Sequence, residues 1–274
     1  MLDKASELNR QRWEALAQAR VEGSRPWLNL TADTAREAVD PEGMMGRVRG
    51  KDVLCLAAGG GQQSVAFALL GARVTVVDLA ARQLERDCEA AAFYHVDVRT
   101  VRCDMRDLSD LPPKSFDLVH QPLAINYVPD PDAVFREVAR VIRPGGLYRV
   151  TFANPLVQGT GEDDWDGQGY PLRQPYADGE VRFEDPNWYI EDDGGTVTAL
   201  ARPQEFRHTL STLVNELTSR GFLILGLWED TSADPDAEPG TWDHFKRVAA
   251  PYLHVWSRYN PHAFLRPPTA AAKP

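Results

Sequence analysis

The sequence predicts an α/β protein built around a mostly parallel sheet. Between residues 53 and 152, short apolar runs that favour strands alternate with segments of helical spacing. Such alternation is typical of parallel strands joined by right-handed helical crossovers. The second observation is a turn of small residues, 57–61, directly after the first of these strands. A tight turn between a strand and a helix is where sheets of this kind bind ligands.

The individual elements follow from the spacing of apolar residues. The amino-terminal part predicts an amphipathic helix over 3–20 and a second short helix over 31–39, separated by Pro26 and Trp27. In the central part we expect strands over 53–56, 74–77, 98–102, 116–120 and 147–152, and helices over 62–70, 81–93 and 131–141. Near the end we expect a helix over 203–220 and two closing strands over 222–228 and 252–258.

Composition limits the class of protein. The 274 residues are enough for one enlarged domain or a domain with a cap, and no apolar run approaches the roughly 18 residues of a membrane helix. A net charge of −10 argues against a nucleic-acid partner, which needs a basic surface. The first residues lack an apolar signal segment, so we expect a cytoplasmic protein with no membrane partner. Three cysteines without paired spacing predict reduced structural thiols and no metal site.

An acidic residue after the second strand indicates a nucleoside-containing cofactor. Asp78 lies nineteen residues after Gly59, where a carboxylate could bind the two hydroxyls of a ribose. The N–H groups of the small-residue turn would be free to face the ligand. Asp78 could instead cap the helix that follows it. The dinucleotide fingerprint G-x-G-x-x-G fits poorly, because Ser64 occupies its last position.

Four segments resemble, in the right order, motifs of the class I S-adenosylmethionine-dependent methyltransferases. Residues 53–61 resemble the V-L-D-x-G-x-G-x-G of the first motif. Residues 101–105 and 115–119 resemble the third and fourth strands of that family, and residues 143–146 the turn into its fifth strand. The matches cover roughly residues 45–155. The ubiquinone- and menaquinone-type small-molecule methyltransferases are the subgroup that the sequence resembles most.

The resemblance implies a Rossmann-like fold, with a seven-stranded, mostly parallel sheet in the order 3-2-1-4-5-7-6 and helices on both faces. We expect an N-terminal helical lid over 1–45 and a cofactor-binding methyltransferase domain over 46–154 and 203–262. The part least like the family is predicted to be a cap insertion over 155–202 after strand five, and residues 263–274 a tail. The insertion is acidic and rich in aromatic residues: residues 155–195 hold eleven Asp and Glu against two Arg. Its length favours a small cap or hairpin over a bare loop.

S-adenosylmethionine is the cofactor that the resemblance implies. The small-residue turn would hold its α-carboxylate, Asp78 the ribose hydroxyls and Asp104 the adenine amino group. The expected cofactor-binding residues are Ala57, Ala58, Gly59, Gly61, Asp78, Leu79, Gln83, Asp104, Met105 and Gln121. Asp104 could alternatively cap the next turn, and Met105 could fill the core.

Two residues depart from the first motif of the family. Cys55 stands where the family usually has Asp, which removes a carboxylate that often steadies the turn or the amine of the cofactor. Ala57 stands where the family has its first glycine, and we expect it to be tolerated with a negative φ.

In-line methyl transfer to a small molecule is the activity that the resemblance implies, and positioning does most of the work in such a reaction. His208 and His120 are the candidate bases, because imidazole titrates near ~6.5, although both could be structural. We expect an aromatic or amphipathic acceptor, bound by Trp13, Trp165, Tyr170, Tyr176, Trp188 and Arg207. These aromatic residues could equally form the core of the cap, and its acidic loops leave a cationic acceptor open.

Two other classes of function remain open from the sequence. A protein that binds the cofactor without transferring a methyl group, regulatory or non-methylating, would fit the departures at Cys55 and Ala57. An NAD(P)-dependent oxidoreductase is less favoured, because the third glycine of its fingerprint is absent.

Overall fold

Seven α-helices and eleven strands form within residues 2–191 and 196–263, which are the residues that this computed structural model describes. The helices are α1 (Lys4–Gln18), α2 (Ala32–Val39), α3 (Gln63–Leu69), α4 (Ala81–Tyr94), α5 (Pro131–Val141), α6 (Leu210–Ser219) and α7 (Trp242–Ala249). The strands are β1 (Asp52–Leu56), β2 (Arg73–Asp78), β3 (Val98–Arg102), β4 (Phe116–Gln121), β5 (Ile142–Ala153), β6 (Gly179–Glu180), β7 (Asn187–Glu191), β8 (Val197–Ala201), β9 (Phe206–Arg207), β10 (Phe222–Glu229) and β11 (Tyr252–Tyr259).

Seven of the strands form one sheet in the order β3-β2-β1-β4-β5-β11-β10. Strands β1 to β5 pair in parallel. Strands β10 and β11 are antiparallel to each other, and β11 is antiparallel to β5. The predicted α/β class, strand order and mostly parallel sheet are therefore confirmed.

The central strands are apolar on both sides because helices cover both faces of the sheet. Leu54 of β1 packs into a core that includes residues of α5 and α6. Its neighbour Val53 points to the opposite face, into a core with residues of α2 and α3. This alternation along one strand explains why β1 is a continuous buried run rather than an alternating one.

Helix α1 lies beside α4, over the end of the sheet where the parallel strands finish. Glu14 of α1 accepts hydrogen bonds from the N–H groups of Ala81 and Arg82, so that it caps the start of α4. Asn9 forms a two-way pair with the backbone of Gln204, accepting at 2.7 Å and donating at 2.9 Å. The amino-terminal helix is thereby fixed to both α4 and the segment before α6.

The helix predicted over 203–220 begins later than expected. Residues 206–207 form β9, which pairs with β6, and α6 starts only at Leu210. Thr209 is the N-cap, and its hydroxyl accepts a hydrogen bond from the N–H of Thr212. The preceding residues are extended because their backbone groups bond to Asn9 and to β6 instead of to a helical turn.

The segment 155–202 contains a hairpin of β7 and β8, and residues 192–195 between these strands lie outside the described residues. Of the predicted tail, only Ala263 lies within them. No helix in either described range has the length and apolar character needed to cross a membrane, the longest, α1, having 15 residues.

Candidate functional site

A cavity of about 730 Å³ opens where β1, β2, β3 and β4 end. This is the position at which open parallel sheets bind ligands, and the volume lies within the roughly 300–1,000 Å³ of small-molecule sites. Its lining at this end of the sheet consists of residues that follow or end those strands: Ala57, Ala58, Gly59, Asp78, Leu79, Cys103, Asp104, Met105, Pro122, Leu123 and Ala124.

The glycine turn, residues 59–61, is held by groups of the protein itself. The N–H of Gly59 donates to Oδ2 of Asp78 at 3.0 Å. The N–H of Gly60 donates to the carbonyl of Gln83 and to Oδ2 of Asp87, both at 3.1 Å. The expectation that the turn leaves its N–H groups free is therefore wrong at these two positions, because neighbouring acceptors already use them.

The absence of a side chain at Gly59 instead allows close approach to its backbone. A Cβ at this position would lie 2.5 Å from Cβ of Gln83 and 2.9 Å from Oδ2 of Asp78. Any side chain would displace Asp78 and obstruct the floor of the cavity. Glycine at position 59 therefore lets a ligand lie directly against the backbone.

Ala57 adopts a left-handed backbone conformation, with φ of +47°. The expected negative φ is wrong, because the chain must turn sharply as it leaves β1. A non-glycine residue in this region costs roughly 1–2 kcal/mol. Ala57 thus adopts a backbone conformation that favours glycine, and this strained residue lines the cavity.

Asp78 is fixed at both carboxylate oxygens. Oδ1 accepts from the N–H of Ala80 at 2.9 Å, while Oδ2 accepts from Gly59. The alternative prediction that Asp78 is the N-cap of α4 is wrong, because the N-cap position is occupied by Ala80, whose side chain makes no capping hydrogen bond. Burial raises the pKa of Asp78 to about 6 despite these backbone donors. Each oxygen keeps a lone pair for another donor, as binding of two ribose hydroxyls requires.

Gln83 supplies a second acceptor at the same place. Its side chain is 3% exposed and lines the cavity, yet Oε1 has no hydrogen-bond partner among the described residues. A buried polar atom without a partner is costly unless a ligand or water satisfies it. Asp78, Gln83 and the close approach at Gly59 together fit the polar part of a nucleoside cofactor.

Asp104 and Met105 line the cavity, whereas Gln121 and Gly61 lie outside the lining. Asp104 accepts from Ser6 Oγ at 2.9 Å and from Arg106 Nη2 at 2.7 Å. Burial alone would raise the pKa of Asp104, but the bonds from Arg106 outweigh it and hold the pKa below its ordinary value.

Gln121 orients Met105 from behind. Its Nε2 donates to Sδ of Met105 at 3.2 Å, and its Oε1 accepts from the hydroxyl of Tyr148. Gly61 packs against α4, because a Cβ there would lie 2.5 Å from the carbonyl oxygen of Arg86. Both residues support the lining without forming part of it.

The two candidate bases lie outside the cavity. His120 is 2% exposed, its ring packs edge-on against Phe67, and burial lowers its pKa well below the ordinary value. His208 donates from Nε2 to the carbonyl of Val128 at 3.0 Å, and burial lowers its pKa as well. The arrangement gives neither imidazole contact with a ligand in this cavity.

Of the expected acceptor-binding residues, Trp13 and Trp188 line the cavity and the other four do not. Trp165 and Tyr170 pack on each other and on His244. The hydroxyl of Tyr176 accepts from the N–H of Leu210. Arg207 donates to the carbonyls of Pro175 and Gln158, so that it joins loops of the insertion.

Several lining residues were not expected from the sequence. They come from helix α1, from the turn after β4, from the β7–β8 region and from the start of β11: Ser6, Asn9, Tyr127, Asn187, Tyr189, Ile190, Arg202 and Tyr252. Tyr127 could have been predicted from the sequence, because it follows β4 near the ends of the strands. The others depend on contacts between segments far apart in sequence.

Comparison with known proteins agrees with this geometry. Residues 54–150 match a family described as a methyltransferase domain. The chain is 33% identical over 183 residues to an uncharacterized methyltransferase, YbaJ, of Bacillus subtilis, covering 67% of this chain and 70% of that protein. It is 37% identical over 99 residues to a ubiquinone biosynthesis O-methyltransferase of Idiomarina loihiensis, covering 35% of this chain but only 40% of the relative.

Solved structures share the architecture. An S-adenosylmethionine-dependent methyltransferase from Mesorhizobium loti superposes with a TM-score of 0.64 at 25% identity, covering 83% of this chain and 99% of that one. A geranyl diphosphate C-methyltransferase from Streptomyces coelicolor, solved with S-adenosyl-L-homocysteine, gives a TM-score of 0.53 at 16% identity and shares the fold, over 83% of this chain and 77% of that one. With the strand order and the cavity at the strand ends, these matches show that the chain belongs to the class I S-adenosylmethionine-dependent methyltransferases and that its cofactor is S-adenosylmethionine.

Proposed function

We propose that this enzyme methylates a small aromatic or amphipathic molecule, which binds at the aromatic end of the cofactor cavity. The observation that carries the proposal is the two-part lining of one cavity. The glycine turn, Asp78 and Asp104 form a polar end. Rings from four separate segments form the other end: Trp13, Tyr127, Trp188, Tyr189 and Tyr252.

Three rings of the aromatic end contact in edge-to-face geometry, with Trp13 in the middle. The ring centroid of Trp13 lies 5.3 Å from that of Tyr127 and 6.1 Å from that of Trp188. Aromatic walls with a few polar groups are typical of small-molecule sites. Because α1 contributes Trp13 and β7 contributes Trp188, the pocket forms only when both segments lie over the sheet.

When bound, S-adenosylmethionine supplies an activated methyl group on a sulfonium. The chain itself supplies position and exclusion of water. Burial raises the pKa of Tyr252 to about 12 and that of Tyr127 well above its ordinary value, so both phenols stay protonated and can donate hydrogen bonds. Positioning alone lowers barriers by roughly 7–11 kcal/mol in well-oriented systems. Because neither candidate histidine lines the cavity, the site suits a nucleophile that needs no deprotonation by the protein at the working pH.

A second cavity of about 800 Å³ adjoins the first, and Trp188, Arg202 and Tyr252 line both. Its lining includes six carboxylate side chains against three guanidinium groups. We assign it to the part of the acceptor that does not react, and its charge favours a neutral or cationic group there. The net charge of −10 supports an acceptor other than nucleic acid, and a cytoplasmic location remains part of this proposal.

The proposal is tested with panels of phenols, amines and aromatic carboxylic acids, by measuring methylated product and released S-adenosylhomocysteine by mass spectrometry. For an acceptor that reacts, Trp188→Ala should raise the KM for the acceptor about tenfold or more, because burial of an aromatic ring is lost. Its affinity for S-adenosylhomocysteine should change little.

Trp165→Ala is the matched control, since Trp165 belongs to the same insertion but packs outside the cavity. It should leave the KM for the acceptor at the wild-type value. An equal rise of KM in both variants would contradict the assignment of the aromatic end. A protein that binds the cofactor but methylates no member of any panel would contradict the proposed acceptor class.

A further inference from the structure

A buried carboxylate lies behind the glycine turn, on the side away from the cavity. Asp87 of α4 is 0% exposed and does not line the cavity. Its Oδ2 accepts from the N–H of Gly60 at 3.1 Å, and its Oδ1 accepts from the hydroxyl of Ser64 in α3. One side chain thus joins the turn to the helices on both sides of it.

The turn has little room to move between its neighbours. A Cβ on Gly60 would lie 2.7 Å from the carbonyl oxygen of Gly23, in the segment after α1. A Cβ on Gly61 would meet the backbone of α4. The backbone of Ala58 and Gly59, which faces the cavity, is therefore placed by what holds Gly60 from behind.

We propose that Asp87 is the positioning residue that holds the glycine turn in the conformation that binds S-adenosylmethionine. The inference rests on the cofactor and not on the proposed acceptor. Cys55 of β1, where the family that the sequence resembles usually has Asp, is a fully buried thiol and a weaker acceptor than a carboxylate. Asp87 supplies that acceptor from α4 instead.

The groups that face Asp87 explain its protonation. Asp78 of β2 presents a second carboxylate to Asp87. Cys55 of β1 remains a neutral thiol, because burial and the neighbouring Asp87 raise its pKa well above the ordinary value. Arg86 gives no compensation, since its guanidinium donates to Glu89 and to the carbonyl of Ala17. Burial is the main cause that raises the pKa of Asp87 to about 7, and the nearby carboxylate of Asp78 raises it further.

A neutral side chain of the same shape should therefore hold the glycine turn as Asp87 does. The Oδ1 of an asparagine can accept from Gly60, and its Nδ2 can donate to the hydroxyl of Ser64. An alanine offers neither bond. The comparison of Asp87→Asn with Asp87→Ala separates hydrogen-bonded positioning from any effect of charge.

The test is calorimetric titration of each purified variant with S-adenosylhomocysteine at pH 8, together with its melting temperature. We expect Asp87→Ala to bind about tenfold or more weakly, the loss typical of a bond to a charged group. Asp87→Asn should bind close to wild type.

Asp40→Ala is the matched control. Asp40 is also a buried carboxylate that accepts from backbone N–H groups, those of Met44 and Met45, but it lies outside the cavity lining. It should lower the melting temperature without changing the affinity for S-adenosylhomocysteine. The proposal is overturned if Asp87→Ala binds like Asp40→Ala, or if Asp87→Asn binds as weakly as Asp87→Ala. If Asp87→Ala does not fold, Ser64→Ala decides: weaker binding supports the proposal and unchanged binding overturns it.

Discussion

At the scale of single residues, Asp78 is the residue that we most expect to bind the cofactor. It faces the cavity, accepts from Gly59 and Ala80, and keeps lone pairs for two more donors. We predict that Asp78→Ala weakens S-adenosylhomocysteine binding about tenfold or more, since a bond to a charged acceptor is worth roughly 1.5–3 kcal/mol. Calorimetry measures this directly. Asp107→Ala, an exposed carboxylate outside the lining, is the control and should bind like wild type.

The raised pKa of Asp78 predicts how cofactor affinity depends on pH. Hydroxyl donors favour the carboxylate form, and burial raises the pKa of this group to about 6. Affinity should therefore rise as pH increases through about 6 and fall as pH decreases through it, with proton release on binding. Titration in buffers of different ionisation enthalpy checks the sign. Affinity that stays constant in this range for wild-type protein would contradict the assignment.

The strain at Ala57 predicts that a substitution in the binding site stabilises the fold. Ala57→Gly relieves a positive φ that costs roughly 1–2 kcal/mol, less the entropy that glycine adds to the unfolded chain. We expect a net gain of about 1 kcal/mol in the free energy of unfolding, measured with urea. Ala58→Gly, without a positive φ to relieve, should lose stability instead. Loss of stability in both variants would show that position 57 is unstrained.

At the scale of elements, a buried ion pair fastens the segment after α2 to the sheet. Nη2 of Arg149 in β5 lies 3.0 Å from Oε1 of Glu42, with side chains 8% and 6% exposed. The indole of Trp256 in β11 also donates to Glu42. One carboxylate thus joins three elements in the interior.

Removing one partner of this pair should be strongly destabilising. Arg149→Ala leaves the carboxylate of Glu42 buried without its cation, and we expect a loss of about 3–5 kcal/mol in the free energy of unfolding. Arg73→Ala breaks the more exposed pair with Asp52 and should cost far less, because solvent screens that pair. Urea unfolding of both variants tests the contrast, and similar losses in the two would contradict the role of burial.

The elements that the sequence predicted well are those specified by local pattern. The strands of the sheet and helices α3, α4 and α5 follow from apolar periodicity, and their order from the family resemblance. The helix predicted over 203–220 failed at its start, because Asn9, far away in sequence, bonds to the backbone of Gln204. No local pattern contains that contact.

At the scale of the whole molecule, the cavity is built from segments at both ends of the chain. The polar end could be predicted, because Gly59, Asp78 and Asp104 directly follow or end strands of the sheet. The aromatic end could not, because Trp13, Trp188 and Tyr252 meet only after α1, the insertion and β11 have packed. The aromatic residues of the insertion look alike in sequence, and only the fold separates Trp188 from Trp165.

This molecule is a methyltransferase, and we expect the cavity at the strand ends to bind S-adenosylmethionine. Titration of the purified protein with S-adenosylmethionine and S-adenosylhomocysteine in a calorimeter, with NADH as control, tests it most directly. We predict micromolar binding of both sulfur nucleosides and none of NADH. Failure to bind either sulfur nucleoside, or binding of NADH in their place, would contradict the claim.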